Sequence, residues 1–214
     1  MKIMRVLFAS LLLLPGAALA QEGVATYKYT YPVFPGTTGD SRVFFSPKAL
    51  RIEAQMIVPS APAPFPTTMI QRASEPKKFY TINDFSRTAI ASELVAARDP
   101  GYTVKRQGSD RIAGVACDNA VATAAPPRKN RIEVCISNEF VASPSWLAAM
   151  NRGVRADDWM QAVRDAGLTG FPVRVRYYPE EKGGPEVTME LVHLERKTVP
   201  SSLFEIPSGY KEMR

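Results

Sequence analysis

The sequence contains few of the residues from which catalytic and metal sites are built. Its 214 residues include one histidine, His193, and two cysteines, Cys117 and Cys135. Nucleophilic catalysis by a serine triad needs an imidazole beside the serine, and no Gly-x-Ser-x-Gly elbow occurs in the chain. A structural zinc site needs about four ligands, which this set does not supply. We therefore expect no metal and no cofactor, and we interpret His193 as a half-buried strand residue.

Paired carboxylates are the remaining candidates for acid–base chemistry. They occur at Asp157–Asp158 and at Glu180–Glu181. Adjacent side chains on a helix or at a hairpin tip do not converge on one point, as general acid–base catalysis requires. The first pair suits the positive end of a helix and the second suits a solvated turn. The sequence thus predicts a protein that is not an enzyme and has no catalytic residues.

Charge of one sign is not concentrated anywhere in the chain. There are 27 basic and 21 acidic residues, a net charge of +6, and acids are interspersed among the basic residues, as at Arg51 and Glu53. Nucleic-acid binding needs clustered cations that displace counterions from phosphates. This pattern argues against a nucleic-acid partner. The small positive excess still allows weak attraction to an anionic membrane surface.

Long apolar runs are missing except at the N-terminus. Lys2 and Arg5 precede an apolar core at residues 6–14, and Ala18-Leu19-Ala20 has the small-x-small pattern of a signal-peptidase site. The run is too short to span a bilayer. We predict a signal peptide over residues 1–20 and one domain over residues 21–214 without a transmembrane segment. The predicted location is the periplasm, with release from the cell as the alternative.

The two cysteines are predicted to form a disulfide bond. Export to an oxidising compartment favours pairing, and no Cys-x-x-Cys motif supports the alternative of a redox centre. The residues around Cys117 and Cys135 have strand-like patterns on either side of a turn, so we expect a disulfide-bonded hairpin between residues 108 and 140. In the chain-entropy model such a bond stabilises the fold by roughly 3 kcal/mol.

Most of the chain consists of short extended segments separated by turns. Residues 24–31 alternate with period two, which places Ala25, Tyr27 and Tyr29 on one face. The proline-rich segment 59–66 is predicted to be an exposed loop, or alternatively a partner-binding polyproline segment. The pattern indicates one large, twisted antiparallel sheet without parallel crossover units. The predicted strands are 24–31, 42–45, 50–58, 68–72, 78–82, 87–91, 102–105, 111–115, 117–123, 131–136, 172–178 and 187–196.

The hydrophobic period changes to that of a helix after Phe140. Residues 143–150 predict one short helix, and residues 157–166 predict a second that ends at Gly167. In the strand predicted at residues 187–196, one face is expected to carry Val187, Met189, Leu191 and His193. The predicted fold class is mainly β (α+β): one large curved antiparallel sheet, or incomplete barrel, with a short helical insertion packed on its concave face.

Aromatic and methionine residues are concentrated near the predicted helices. One interpretation is a packed core; the other is an apolar cleft, lined by methionine and flat aromatic rings, that accepts an acyl chain or another hydrophobic ligand. The spacing does not separate the two. The candidate ligand-binding residues are Trp146, Met150, Trp159, Met160 and Phe171.

Three segments together resemble a known family of exported bacterial proteins. They are residues 76–84 (PKKFYTIND), 111–117 (RIAGVAC) leading to Cys135, and the closing segment 199–210 (VPSSLFEIPSGY), where a final strand is expected at residues 203–206. The family is the domain of unknown function number 4412, distantly similar to the periplasmic lipoprotein carriers LolA and LolB. The resemblance covers nearly all of residues 21–214 and supplies no catalytic residues.

The resemblance implies a curved, incomplete barrel that binds a hydrophobic ligand, or a lipidated or exported polypeptide, in the cell envelope. Its partners would be a lipid or acyl chain, or an envelope protein. The alternative hypothesis is a fully packed module for envelope protein–protein interaction, which docks through the loop at residues 59–66 or through an open sheet edge.

Overall fold

Alternating apolar and polar residues, interrupted by turns, form the strands of a single open sheet. The computed structural model describes residues 22–93, 101–139, 159–180 and 183–213. Within them are 12 strands, one α-helix and one 3₁₀ helix. The strands are β1 (Gly23–Thr30), β2 (Thr38–Phe45), β3 (Ala49–Ile57), β4 (Phe65–Arg72), β5 (Lys78–Asn83), β6 (Thr88–Glu93), β7 (Tyr102–Ile112), β8 (Val115–Ala124), β9 (Arg131–Ser137), β10 (Phe171–Tyr178), β11 (Val187–Arg196) and β12 (Lys211–Met213).

The strand order is β12-β6-β5-β4-β3-β2-β1-β11-β10-β9-β8-β7. Two meanders are joined where β11 returns to pair with β1, so the first and eleventh strands are neighbours in the middle of the sheet. The predicted large antiparallel sheet is confirmed for all neighbours except β12 and β6, which pair in parallel. The expectation of a wholly antiparallel sheet is wrong at this edge, because the chain crosses a sheet face before it returns beside β6.

One short helix packs against the end of the sheet that holds β7 and β8. It is α1 (Trp159–Asp165), and it contacts both of these strands. Trp159, Met160 and Val163 are buried, as the helical period predicted. Gly167 has φ +82°, the left-handed conformation that ends helices, which confirms the predicted stop. The helix predicted at residues 143–150 lies outside the described residues.

The two faces of the sheet bury apolar residues against different elements. One face, here called the main face, carries the largest core cluster, which includes Ala25, Tyr27, Ile52, Leu191 and three residues of α1, Trp159, Met160 and Val163. On the opposite, second face, Val24 and Phe44 pack with Val199 and Phe204. These contacts bury Val24, although the alternation of β1 predicts that its face is exposed to solvent.

The closing segment, residues 199–210, covers the second face. The strand predicted at residues 203–206 is wrong: a 3₁₀ helix, Ser201–Phe204, occupies this place. Leu203 and Phe204 turn into the apolar patch, and sheet arginines satisfy their carbonyls. Arg51 Nη1 donates to Leu203 O at 3.2 Å, and Arg72 Nε donates to Phe204 O at 3.3 Å. Contacts with the sheet therefore replace a strand ladder here.

A register shift changes the face of the residues at the end of β11. Tyr27 pairs with Leu191, but the preceding Thr26 pairs with His193, so Val192 is the extra residue of a bulge. As a result Leu194 packs on the main face, while Val192 and His193 are exposed. The prediction that His193 is half-buried beside Leu191 is wrong for this reason.

The predicted disulfide bond is present. Cys117 in β8 and Cys135 in the neighbouring β9 are joined, with their Cα atoms 5.4 Å apart, and both side chains are buried. The predicted hairpin between them is formed by β8 and β9. Across the described ranges, no helix is long and apolar enough to cross a membrane.

Candidate functional site

Three of the five predicted ligand-binding residues meet in the core of the main face. Trp159 and Met160 lie on α1, Phe171 begins β10, and all three belong to the same buried cluster. Their exposed fractions are 3%, 3% and 2%. Trp146 and Met150, the other two candidates, lie outside the described residues.

An aromatic group at the centre of the sheet surrounds Phe171. Its ring stacks on Tyr27 with centroids 5.8 Å apart, and the ring of Phe45 is 6.4 Å away. Tyr27 is fully buried, and its hydroxyl donates to the Pro172 carbonyl at 3.0 Å. That bond ties β1 to the start of β10, which are separated by β11 in the sheet. The group offers flat apolar contact surface close to the helix-bearing half of the sheet.

Burial keeps the phenols of this face in their neutral form. It raises the pKa of Tyr27 well above its ordinary value, with a smaller contribution from Tyr29. Burial also raises the pKa of Tyr29, whose hydroxyl accepts a hydrogen bond from Ser41 Oγ at 3.3 Å. Neither phenol can act as a base near neutral pH. The chemistry available here is therefore apolar contact and neutral hydrogen bonding.

Two buried polar atoms have no hydrogen-bond partner in the part of the chain that the structure describes. They are Trp159 Nε1, a donor, and Gln71 Oε1, an acceptor. Gln71 Nε2 is satisfied by the Pro76 carbonyl at 3.2 Å. An unpaired buried polar atom costs about 1–3 kcal/mol, so each of these atoms is a place where a ligand with the complementary group would gain a hydrogen bond.

Charged residues on the second face of β8–β10 are engaged with one another. Arg174 contacts Asp110 at 3.1 Å and Asn119 at 3.2 Å, and the Tyr178 hydroxyl donates to Glu133 at 3.0 Å. Glu133 also pairs with Arg131 and Arg176 at 3.6 Å. Because these cations have carboxylate partners, this surface is a solvated, charge-balanced face of the sheet.

A groove of about 700 Å³ lies on the second face, between the closing segment and the connections that precede β3 and follow β4. Its charged lining includes Lys48 and Arg72 but also Glu22, Glu205 and Glu212. Because the lining carries both signs of charge, it favours neither an anionic nor a cationic ligand. The groove lies on the other side of the sheet from Trp159, Met160 and Phe171.

The structure describes only some of the residues that the sequence offered for metal or acid–base chemistry. No group of three histidine, cysteine, aspartate or glutamate side chains is placed to hold a metal ion in the described segments. His193 is exposed on β11, and Glu180 is exposed in the β10–β11 hairpin. Glu181 and the pair Asp157–Asp158 lie outside the described ranges.

The sequence did not indicate that Tyr27, Phe45 and Gln71 belong to this site on the main face. The alternation of β1 signalled that Tyr27 is buried, but not that it stacks on Phe171. Nothing local marks Gln71, which is opposite Leu50 and only 2% exposed. The stacking of Tyr27 on Phe171 and the burial of Gln71 both depend on pairing between strands that are distant in the sequence.

Solved structures share this fold at low sequence identity. An uncharacterised conserved protein from Thermus thermophilus superimposes with a TM-score of 0.54 at 14% identity, over 92% of this chain and 91% of that one. MucB from the Pseudomonas aeruginosa MucA/MucB complex gives 0.50 at 13% identity, over 85% of this chain and 54% of MucB. A crystal structure of MucB alone gives 0.50 at 12% identity, over 91% and 60%. The chain thus spans little more than half of MucB.

Sequence comparison gives a family match over most of the chain. The model of the Domain of unknown function (DUF4412) matches residues 22–210. No curated protein sequence matches significantly. The matched range begins just before β1 and ends at the last residue of the closing segment, so it includes all strands except β12.

Proposed function

This chain belongs to the DUF4412 family, and from that premise we propose that it is a non-catalytic protein of the bacterial cell envelope that binds a hydrophobic ligand. The ligand is a lipid acyl chain, or a lipidated or exported polypeptide, held between the main face of the sheet and the helical insertion. Residues 1–20 would direct export and be removed. The candidate contacts are Trp146, Met150, Trp159, Met160 and Phe171.

The observation that carries this proposal is the unpaired indole nitrogen of Trp159. Its ring is buried among apolar side chains of the main face, yet Nε1 finds no acceptor in the described segments. Buried tryptophan usually has a partner for this donor. An acyl chain with an ester or amide carbonyl would supply both the apolar surface and the acceptor.

The fold comparison supports a binding role in a more general way. MucB shares this fold over part of its length, and its structure was solved in a complex with MucA. A protein that contains this fold can therefore bind another polypeptide. By analogy, the candidate ligands of this chain include a lipidated or exported polypeptide.

Native mass spectrometry of the protein isolated from the periplasm without detergent tests the proposal. We expect an excess mass that disappears on denaturation, and fragmentation should identify it as an acyl-containing molecule or a peptide. A native mass equal to that of the disulfide-bonded chain alone, in repeated preparations, would contradict ligand binding.

The variant Trp159→Phe tests the role of the indole nitrogen. It removes the unpaired donor while keeping most of the ring, so the free energy of unfolding should stay within about 1 kcal/mol of wild type, whereas ligand occupancy should fall about fivefold or more. Unfolding in urea and native mass spectrometry give the two values. Met160→Leu is the matched control on the same helix, because it changes shape but no hydrogen-bonding group. Equal ligand occupancy in Trp159→Phe and wild type would contradict this role.

A second candidate function is protein docking with a fully packed core. The near-complete burial of Trp159, Met160 and Phe171 favours it. In that case the loop at residues 59–66, or an open sheet edge, would carry the binding activity. Shortening this loop should then abolish capture of an envelope protein without changing any bound ligand mass, and the opposite pattern would favour the ligand-binding proposal.

A further inference from the structure

Three neighbouring hairpin connections project from the same end of the sheet. Strands β1 to β6 are consecutive antiparallel neighbours, so the β1–β2, β3–β4 and β5–β6 connections emerge side by side. They comprise residues 31–37, 58–64 and 84–87. Adjacent strands are about 4.8 Å apart, which spaces successive connections by about 10 Å.

Large apolar side chains are exposed at all three connections. Val33 and Phe34 are each 53% exposed in the first, Ile57 and Phe65 flank the second, and Phe85 in the third is fully exposed. We call these five residues the apolar rim. They account for five of the eight large exposed hydrophobic residues in the described ranges, so exposure is concentrated at one end of the sheet and not scattered over it.

The first two connections are ordered and contact each other. Phe34 N donates to Tyr31 O at 2.9 Å, and Thr37 N donates to Phe34 O at 3.0 Å, so residues 31–37 form two successive turns. Gly36 has φ +77°, and a β-carbon placed on it would lie 2.7 Å from Pro59 Cγ. The rim side chains are therefore held outward by a defined backbone, which lowers the conformational entropy lost on docking.

The first two connections also contain no charged residue. Residues 31–37 and 58–66, which are these two connections and the first two residues of β4, include no Asp, Glu, Lys or Arg, although 22% of the chain is charged. A protein-docking patch normally has a polar outer ring, whereas a segment that enters lipid must exclude charges. Six of these residues are proline, which has no N–H to desolvate, and unsatisfied backbone donors are a main cost of placing a loop in a membrane.

We propose that the apolar rim is a membrane-docking surface that enters the headgroup region of an anionic lipid bilayer. Lys28, exposed near the end of β1 and opposite Asp40, and Arg87, in the third connection with Asp84, place cationic groups near the rim. Residues 1–20 carry two of the 27 basic residues and no acid, so the exported chain has 25 basic and 21 acidic residues, a net charge of +4 that complements anionic lipid. This inference goes beyond the proposed function, because docking does not require a ligand on the main face.

Vesicle flotation tests the proposal. The probe is unilamellar vesicles of phosphatidylcholine and phosphatidylglycerol, mixed with the exported protein after its N-terminus has been verified by mass. We expect the wild-type protein to float with the vesicles, and more of it as the anionic fraction rises. In Phe34→Ser/Phe65→Ser the partition coefficient should fall about tenfold or more, because two rings are lost from the lipid contact.

Val192→Ser is the matched control. Val192 is 50% exposed, as the rim residues are, but it lies in the middle of β11, and its variant should float like wild type. All of these positions are exposed, so unchanged unfolding curves should show that the variants remain folded. A third variant, Phe85→Ser, tests whether the third connection takes part and should lower partition by a smaller factor.

Three outcomes would overturn the proposal. The first is a wild-type protein that floats with no vesicle composition. The second is equal partition of the rim double variant and Val192→Ser. The third is a chain that does not bind vesicles but uses the rim for protein contacts. In that case the rim variants would lose self-association, or they would lose photo-crosslinking from position 85 to an envelope protein. Native mass spectrometry detects a bound ligand independently of vesicle binding. A negative flotation result therefore does not contradict the proposed function.

Discussion

The tyrosine at the centre of β1 shows how one residue connects sheet pairing, packing and ionisation. Tyr27 is fully buried, stacks on Phe171 and gives its only hydroxyl proton to the Pro172 carbonyl. Replacing it by phenylalanine keeps the ring and leaves that carbonyl without this partner. We expect Tyr27→Phe to lower the free energy of unfolding by about 1–2 kcal/mol, measured by urea denaturation at pH 7. A change below about 0.3 kcal/mol would show that water or another donor replaces the hydroxyl.

The same residue predicts how stability depends on alkaline pH. Because burial raises the pKa of Tyr27 and Tyr29 in the folded state, the unfolded chain releases these phenolic protons first. Their contribution is fully present below the unfolded pKa of about 10 and is lost as pH rises towards the folded values, at about 1.4 kcal/mol per pH unit for each phenol.

Tyr27→Phe removes one of these two ionisations. The variant should therefore lose less stability than wild type between about pH 10 and pH 11, which is above the unfolded phenol pKa. Urea unfolding at several pH values, with phenolate absorbance as the readout of ionisation, gives both slopes. Parallel alkaline slopes in the two proteins would contradict burial as the cause of the raised pKa.

At the scale of elements, the disulfide bond joins the adjacent strands β8 and β9, which lie in the half of the sheet that carries α1. Cys117 and Cys135 are 18 residues apart in sequence. Removing the bond in Cys117→Ala/Cys135→Ala should lower the free energy of unfolding by about 3 kcal/mol, mainly because the unfolded chain gains freedom. Reducing agent should lower the stability of wild type and leave the variant unchanged. If both respond alike, the stabilisation has another source.

The closing segment is the element that completes the second face. Phe204 is 7% exposed and packs with Val24, Phe44 and Val199. We expect Phe204→Ala to cost about 3–5 kcal/mol, because a large aromatic group is removed from a closed apolar contact. Ser201→Ala, at an exposed position of the same 3₁₀ helix, should change stability by less than about 0.5 kcal/mol. Thermal unfolding of the two variants measures the difference, and similar midpoints would show that the segment is only loosely held.

For the whole molecule, the first test is whether the chain matures as its N-terminal pattern predicts. We expect the exported protein to begin at Gln21 and to have a mass two protons below that of the reduced chain. Small residues at positions 18 and 20 are needed for signal-peptide cleavage, so Ala18→Asp/Ala20→Asp should accumulate at the uncleaved mass. Intact-mass measurement of the envelope fraction distinguishes the two. A wild-type protein that retains residues 1–20 would contradict the predicted signal peptide.

The agreement between pattern and structure is best where a strand has one wet face. Tyr27 is buried and Lys28 is exposed on β1, as the alternation predicts, and Gly167 ends α1 as expected. The alternation fails for His193 because a bulge opposite Thr26 and Tyr27 moves Leu194 to the main face instead. The strand that the family resemblance implied at residues 203–206 is absent because two carbonyls there accept hydrogen bonds from sheet arginines and not from a neighbouring strand.

Local sequence by itself determined most strands, the end of α1, the disulfide bond and the family, but it missed β12 and the turn at Ala113–Gly114, which divides the strand predicted at residues 111–115. Each depends on side-chain period, on backbone restrictions of proline and glycine, or on a short motif, all of which act within a few residues. Only the tertiary structure decided that β11 pairs with β1, that the closing segment covers the second face, that Trp159 Nε1 lacks a described acceptor, and that exposed apolar residues of three connections share one end of the sheet. These features depend on pairings between segments far apart in the chain, and their register follows from packing that no single stretch of sequence contains.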